Sequence, residues 1–200
     1  MNKYEDLCVL LKEISSKQPF IMAIDGRCAA GKTTFAERLK KEYECNVIHI
    51  DDFYLPMQKR TEAVMKQPGG NIDFQRLTDE IFIPLTEGIN AVYRPYDCHN
   101  DRYMRTQKIN SNVITVIEGS YSCHPKLKGF YKLCVFMDVS KELQIKRLKA
   151  RNPAKLEAFK SVWIPREEKY FDTCKIRESC DMIITCLLYT SPSPRDGATS

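Results

Sequence analysis

Two hundred residues, 43% hydrophobic and 28% charged, fit one globular domain of the soluble type, with room for a small lid or arm. A formal charge of +5 without a long run of one sign suits an anionic ligand but leaves no footprint for nucleic acid. No apolar stretch nears the roughly 18 residues of a spanning helix, so neither nucleic acid nor a membrane is an expected partner.

Residues 1–17 mix Lys3, Glu5, Asp6, Lys12 and Glu13 with Leu7, Leu10, Leu11 and Ile14, an amphipathic helix and not a signal peptide. Residues 20–25 (FIMAID) form a short apolar run closed by Gly26, the pattern of a buried strand ending in a turn. A helix is expected over 32–43, striped by Phe35, Ala36, Leu39 and Tyr43. A second strand, 47–50, ends at Asp51 and Asp52. Residues 53–72, with Pro56, Pro68, Gly69 and Gly70, read as loop. Asp73 is a fitting N-cap for a helix over 74–85.

A strand at 91–94 precedes a polar loop at 95–111. Residues 113–117 (VITVI) and 133–138 (LCVFMD) are further buried strands, the first followed by Glu118 and Gly119. A basic helix spans 141–151, a polar Arg/Lys-rich segment runs to Tyr170, and 182–185 is a fifth short strand. Apolar strands alternating with helices predict an α/β fold whose central parallel sheet is covered on both faces, a three-layer sandwich. The nine cysteines are odd in number and scattered, with neither Cys-x-x-Cys nor metal-ligand spacing, and read as reduced thiols of a cytoplasmic protein. Residues 186–196 read CLLYTSPSPRD, a string that one frame of a common sequencing adapter encodes. Residues 186–200 are therefore expected to be an adapter artefact or a disordered tail, with the natural C-terminus missing after about Thr185 and the domain confined to 1–185.

Chemistry concentrates in GRCAAGKT, which fits G-x-x-x-x-G-K-[ST]. Gly26, Arg27, Cys28, Ala29, Ala30, Gly31, Lys32, Thr33 and the following Thr34 form a P-loop between a strand and a helix. Its N–H groups and the helix N-terminus converge on phosphate. Lys32 can reach the β- and γ-phosphates, and Thr33 can ligate Mg²⁺. Asp51, Asp52 and Glu118 follow the strands expected to flank the first, where ligands of open α/β sheets bind. One carboxylate can accept a hydroxyl proton while another holds the metal or its water. Arg147 and Arg151, four apart within the basic run that continues through Lys155 and Lys160 to Arg166, share a helix face and can close over a triphosphate. Tyr93, Arg94, Tyr96, Asp97, His99 and Arg102 crowd aromatic and polar groups into one loop suited to a ring or sugar. Cys28 lies inside the P-loop, where it serves as a small side chain or an oxidation-sensitive one.

The P-loop, the DDFY segment (Asp51 to Tyr54) and Glu118-Gly119 together resemble the uridine kinase-like nucleoside kinases, relatives of phosphoribulokinase, pantothenate kinase and nicotinamide riboside kinase. The resemblance covers about 20–185, with GGNIDF, RPYDC, IEGSYS and WIPREEKYF marking a bacterial branch. It implies a P-loop NTPase kinase domain with a small helical lid at about 147–170. It implies ATP and Mg²⁺ as cofactors and a nucleoside or similar alcohol as acceptor. Asp51 would be the base and, with Thr33 and Glu118, would hold Mg²⁺, and Arg147 and Arg151 would belong to the lid. Asp52, Tyr54, Arg94, Tyr96, Asp97, His99 and Arg102 would surround the acceptor. Where uridine kinases carry an aromatic after the Tyr-Asp pair, this chain has Cys98. The alternatives are kinases of pantothenate, nicotinamide riboside or a sugar phosphate, a nucleoside monophosphate kinase, and a non-catalytic nucleotide-binding regulator. Asn-Lys-x-Asp and Leu-Ser-Gly-Gly, the marks of GTPases and ABC ATPases, are absent.

Overall fold

Five short apolar runs pair side by side and carry the rest of the chain. The computed structural model describes residues 3–15 and 19–185. The expectations for 186–200 and for the end of the N-terminal segment fall outside those residues.

The chain begins with α1 (Lys3–Ser15), β1 (Ile21–Gly26), α2 (Lys32–Glu42) and β2 (Cys45–His49). A short helix, α3 (Glu62–Met65), and a longer one, α4 (74–86), follow. Four small strands come next: β3 (Ala91–Tyr93), β4 (Tyr96–Asp97), β5 (Arg102–Tyr103) and β6 (Gln107–Ile109). Then come β7 (Ile114–Glu118), β8 (Leu133–Asp138), α5 (Lys141–Arg151), α6 (156–174), α7 (Ile176–Ser179) and β9 (Met182–Thr185).

The sheet order is β2-β7-β1-β8-β9, all parallel. The chain steps outward from β1 to β2, returns to β7 between them, then crosses to β8 on the other side. That reversal beside β1 is where an open α/β sheet forms a crevice at its carboxyl edge. Register brings the site residues level: Glu118 lies opposite both Ile24 and His49, and Gly26 lies opposite Met137.

Alternate residues of each strand enter opposite cores. Met22, Ile24, Val116 and Val135 pack with Leu7 and Leu11 of α1, Phe35 and Leu39 of α2, and Leu143 of α5. On the other face, Ile21 and Ile117 meet Leu77, Ile81 and Phe82 of α4, while Ala23 and Phe136 meet Tyr170 and Phe171 of α6. Each fully buried large apolar side chain is worth roughly 1.5–3 kcal/mol, so both layers hold the sheet. Among the described residues, no helix is long and apolar enough to cross a membrane.

Two expectations need correction. Residues 53–72 are not plain loop: they contain a 3₁₀ turn at Met57–Lys59 and α3, capped by the Thr61 hydroxyl, which accepts from the Val64 N–H at 3.3 Å. Residues 95–111 are not plain loop either. Two antiparallel ladders, β3 with β6 and β4 with β5, make a small arm outside the parallel sheet. Asp97 folds its tip by accepting from the His99 and Asn100 N–H groups at 2.9 and 3.2 Å, an Asx-type turn. The Asp73 cap of α4 forms as expected, accepting from the Arg76 N–H at 3.1 Å. The helix it starts widens into a π-type turn at Thr78–Phe82.

Candidate active site

The P-loop leaves β1 through a backbone conformation that requires glycine. Gly26 has φ +127°, and a Cβ there would lie 2.0 Å from the Met137 carbonyl oxygen. Ala29 (φ 60°) and Gly31 (φ 95°) continue the curl into α2. The first N–H groups of α2 have no carbonyl one turn behind them, so they face the loop's concavity. The half of Lys32 that carries charge lies in the same mouth, its Nζ donating to the carbonyls of Gly26 (2.6 Å) and Arg27 (3.1 Å).

Beneath the loop, Asp25 is fully buried. It accepts from the Gly26 N–H (2.7 Å), the Cys123 N–H (2.8 Å) and the Tyr170 hydroxyl (2.7 Å). Burial outweighs these bonds and the nearby Lys32 charge, and pushes the carboxyl from an ordinary 3.8 up to about 6. The Arg27 side chain turns away from the mouth, forking onto Glu168 (2.8 and 2.9 Å) and reaching Asp138 (2.9 Å). Burial pushes the Cys28 thiol up to about 12, so it is no ready thiolate.

On the β2 side stand the acids. The Thr33 hydroxyl donates to Glu118 Oε1 at 3.0 Å, and His49 Nδ1 lies 2.5 Å from the same oxygen. That bond to Glu118 raises the His49 pKa above its usual value. Asp51 and Asp52 sit on the tight turn Ile50–Phe53 that follows β2. Asp51 opens onto the cleft yet is walled closely by protein. The walls raise its pKa, against the Tyr54 hydroxyl bond and the Lys32 charge that lower it. A more basic carboxylate is a better proton acceptor. Asp52 accepts from the Tyr93 hydroxyl at 2.9 Å, and Arg76 holds its backbone carbonyl at 2.6 Å.

Among the described residues, no group of three or more His, Cys, Asp and Glu side chains gathers around a metal position. The neighbouring oxygens of Thr33 and Glu118 nevertheless fit Mg²⁺, which takes one or two protein oxygens and fills its octahedron with phosphate and water.

A cleft of about 2220 Å³ joins these parts. Towards the β9 edge it is lined by Met137, Arg147, Arg151, Phe159, Trp163, Ile184 and Thr185, and towards the β2 edge by Asp51, Asp52, Tyr54, Arg60, Asn71, Cys98 and Tyr121. Arg147 Nη1 donates to the Ala29 carbonyl at 3.0 Å, and Arg151 lies over the Phe159 ring at 5.8 Å. The remaining expected acceptor residues lie on the arm. Tyr96 is buried and bonds Asp101, Asp97 caps the turn, and Arg94 stacks over Tyr103 at 4.8 Å. His99 and Arg102 are exposed. Sequence reasoning missed His49, Ser120 and Glu167. The last is legible only as the polar member of the buried face that Glu167, Tyr170 and Phe171 present at three- and four-residue spacing.

The family model described as Phosphoribulokinase / Uridine kinase family matches residues 21–187. A solved structure, a possible uridine kinase from Bacillus stearothermophilus, superposes with TM-score 0.65 at 20% identity, covering 92% of this chain and 100% of that one. A kinase provisionally assigned to a fructose transport system in Silicibacter sp. TM1040 gives TM-score 0.65 at 15% identity, covering 84% and 90%. D-glycerate 3-kinase from Cryptococcus neoformans gives 0.51 at 13% identity, covering 76% and 78%. At such identities the structures speak for a shared fold. The family match spans most of the chain, and the protein belongs to the phosphoribulokinase/uridine kinase family of small-molecule kinases.

Proposed function

We propose that this member of the phosphoribulokinase/uridine kinase family transfers the γ-phosphate of ATP to a hydroxyl of a nucleoside or a similar ring-bearing alcohol. One observation carries the reading: Asp51 shares a cleft wall with Lys32 and with the Thr33–Glu118 pair. Binding alone needs no base beside the phosphates.

The N–H groups of the P-loop and first turn of α2 cradle the β- and γ-phosphates, and Lys32 neutralises their charge. Thr33 and Glu118 would hold Mg²⁺, which when bound would supply electrostatic stabilisation of the transferring group. Asp51 takes the proton of the acceptor hydroxyl as that oxygen bonds to phosphorus and ADP departs. Arg147 and Arg151, with the helical segment to about residue 170, form the lid that excludes water from the transfer. Tyr54 and Tyr121 offer ring faces, and Asp52, Arg60, Asn71 and Arg166 offer hydrogen bonds. That mixture supports an acceptor with both a flat ring and several polar atoms. The odd number and scattered spacing of the nine cysteines favour a reducing, cytoplasmic setting.

The test is ADP release in the presence of ATP, Mg²⁺ and a panel of nucleosides, nucleoside monophosphates, vitamin-like alcohols and sugar phosphates. Release that requires one acceptor class is expected. Acceptor-independent hydrolysis, or nucleotide binding without turnover, contradicts the reading and favours a regulator.

A further inference from the structure

One strongly placed carboxylate has no part in the transfer scheme. Glu167 is a charged side chain only 6% exposed, and it points into the phosphate cradle. Its Oε2 accepts from the Cys28 N–H at 3.0 Å, and its Oε1 accepts from the Ser120 hydroxyl at 2.5 Å. Ser120 is in turn 3.4 Å from Lys32 Nζ. A loop whose N–H groups converge to hold an anion thus already holds one of its own.

The neighbouring residues make this contact part of a clamp. Glu168 forks onto Arg27, and the Tyr170 hydroxyl bonds Asp25. Three residues within one turn of α6 therefore grip positions 25, 27 and 28 of the β1–P-loop junction. The three grips differ in what phosphate does to them. Asp25 lies beneath the loop, and the Arg27 side chain points away from the mouth. The Cys28 N–H belongs to the loop's anion-binding surface, and a second anion there meets Glu167 as a like charge in a confined space.

We propose that Glu167 is a built-in competitor for the phosphate cradle, displaced when a nucleotide's terminal phosphates enter. Glu168 and Tyr170 keep this turn of α6 hinged to the loop while the Glu167 side chain and the turn before it, which bears Trp163, move away. Phosphate occupancy is thereby transmitted to the segment that borders the cleft. This rests on the P-loop binding nucleotide, and it does not depend on which acceptor is phosphorylated.

The geometry provides its own reporter. Trp163, the chain's single tryptophan, lies one turn before Glu167 on the same helix and lines the cleft. The experiment is calorimetric binding of Mg²⁺-ADP and of inorganic pyrophosphate to the wild type, Glu167→Ala and Glu167→Asp, with Trp163 emission recorded in parallel. Aspartate keeps the charge but is one methylene too short to reach the Cys28 N–H. Both variants are expected to bind ADP and pyrophosphate about tenfold tighter, the scale of one charge-assisted hydrogen bond. ADP is expected to shift Trp163 emission in the wild type, and Glu167→Ala to show much of that shift before ligand is added. Unchanged or weaker binding in Glu167→Ala overturns the proposal. So does a gain confined to Glu167→Ala, which assigns the effect to net charge and not to competition for the N–H. An unmoved Trp163 in the wild type overturns the hinge. Failure of all three proteins to bind ADP removes the P-loop reading itself, a result distinct from equal binding by all three.

Discussion

Replacing Asp25 by asparagine removes a titrating carboxyl from beneath the P-loop while keeping its size. In the wild type the folded pKa, about 6, lies above the ordinary 3.8. The folded state therefore holds this proton more tightly than the unfolded chain does. The stability it contributes is complete below about pH 4 and is lost as pH rises through about 6. Each tenfold in proton affinity is worth about 1.4 kcal/mol, so the whole effect is about 3 kcal/mol. Asparagine has no such titration. Its amide nitrogen must instead face one of the three donors that Asp25 now accepts from, a pH-independent cost of about 1–3 kcal/mol. The variant should therefore be less stable than the wild type in acid, and the gap should close by about 3 kcal/mol between about pH 4 and about pH 8. For a chain of this size that is a relative movement of about 6–12 °C in melting temperature. Asp51 and Asp52, also raised by burial, titrate in both proteins and cancel in the difference. Urea unfolding followed by circular dichroism at several pH values measures it. Stability curves that stay parallel across the range refute the assignment of a raised, buried carboxyl.

Asp51→Asn should lower transfer by about 10²–10⁴-fold, with ADP affinity within a few-fold of wild type; a large loss of affinity would give Asp51 a binding role instead. Glu118→Gln should raise the Mg²⁺ concentration for half-maximal rate about tenfold or more, read from a magnesium titration at saturating ATP; an unmoved requirement would remove Glu118 from the metal. Gly26→Ala should cost roughly 2–6 kcal/mol through a strained positive φ and a clash with the Met137 carbonyl, and an unchanged unfolding midpoint would contradict that geometry.

The parts of the site that declare themselves in the sequence have local causes. Gly26 and Gly31 mark backbone conformations that other residues avoid, and Asp51 and Glu118 follow apolar runs whose strand character is plain. Of the arm, β3 was legible as the strand expected at 91–94, but β4 to β6 were hidden because strands of two or three residues leave no window in which alternation can be seen. The Tyr96–Asp97 pair reads as ligand-facing, yet Asp97 spends its oxygens on neighbouring N–H groups, a competition between local turn chemistry and a site that spacing cannot weigh. The fate of Arg27 and the place of Glu167 were illegible for a different reason. Their partners lie 141 and 139 residues away along the chain, joined only because α6 packs back over the first strand.

The most direct measurement follows phosphorus itself. With the acceptor that drives ADP release, ³¹P NMR of the reaction should show a phosphomonoester growing in equal amount with ADP, and Asp51→Asn should slow the growth of both signals by the same large factor. Inorganic phosphate in place of the ester would contradict transfer to a hydroxyl and leave the protein a nucleotide hydrolase.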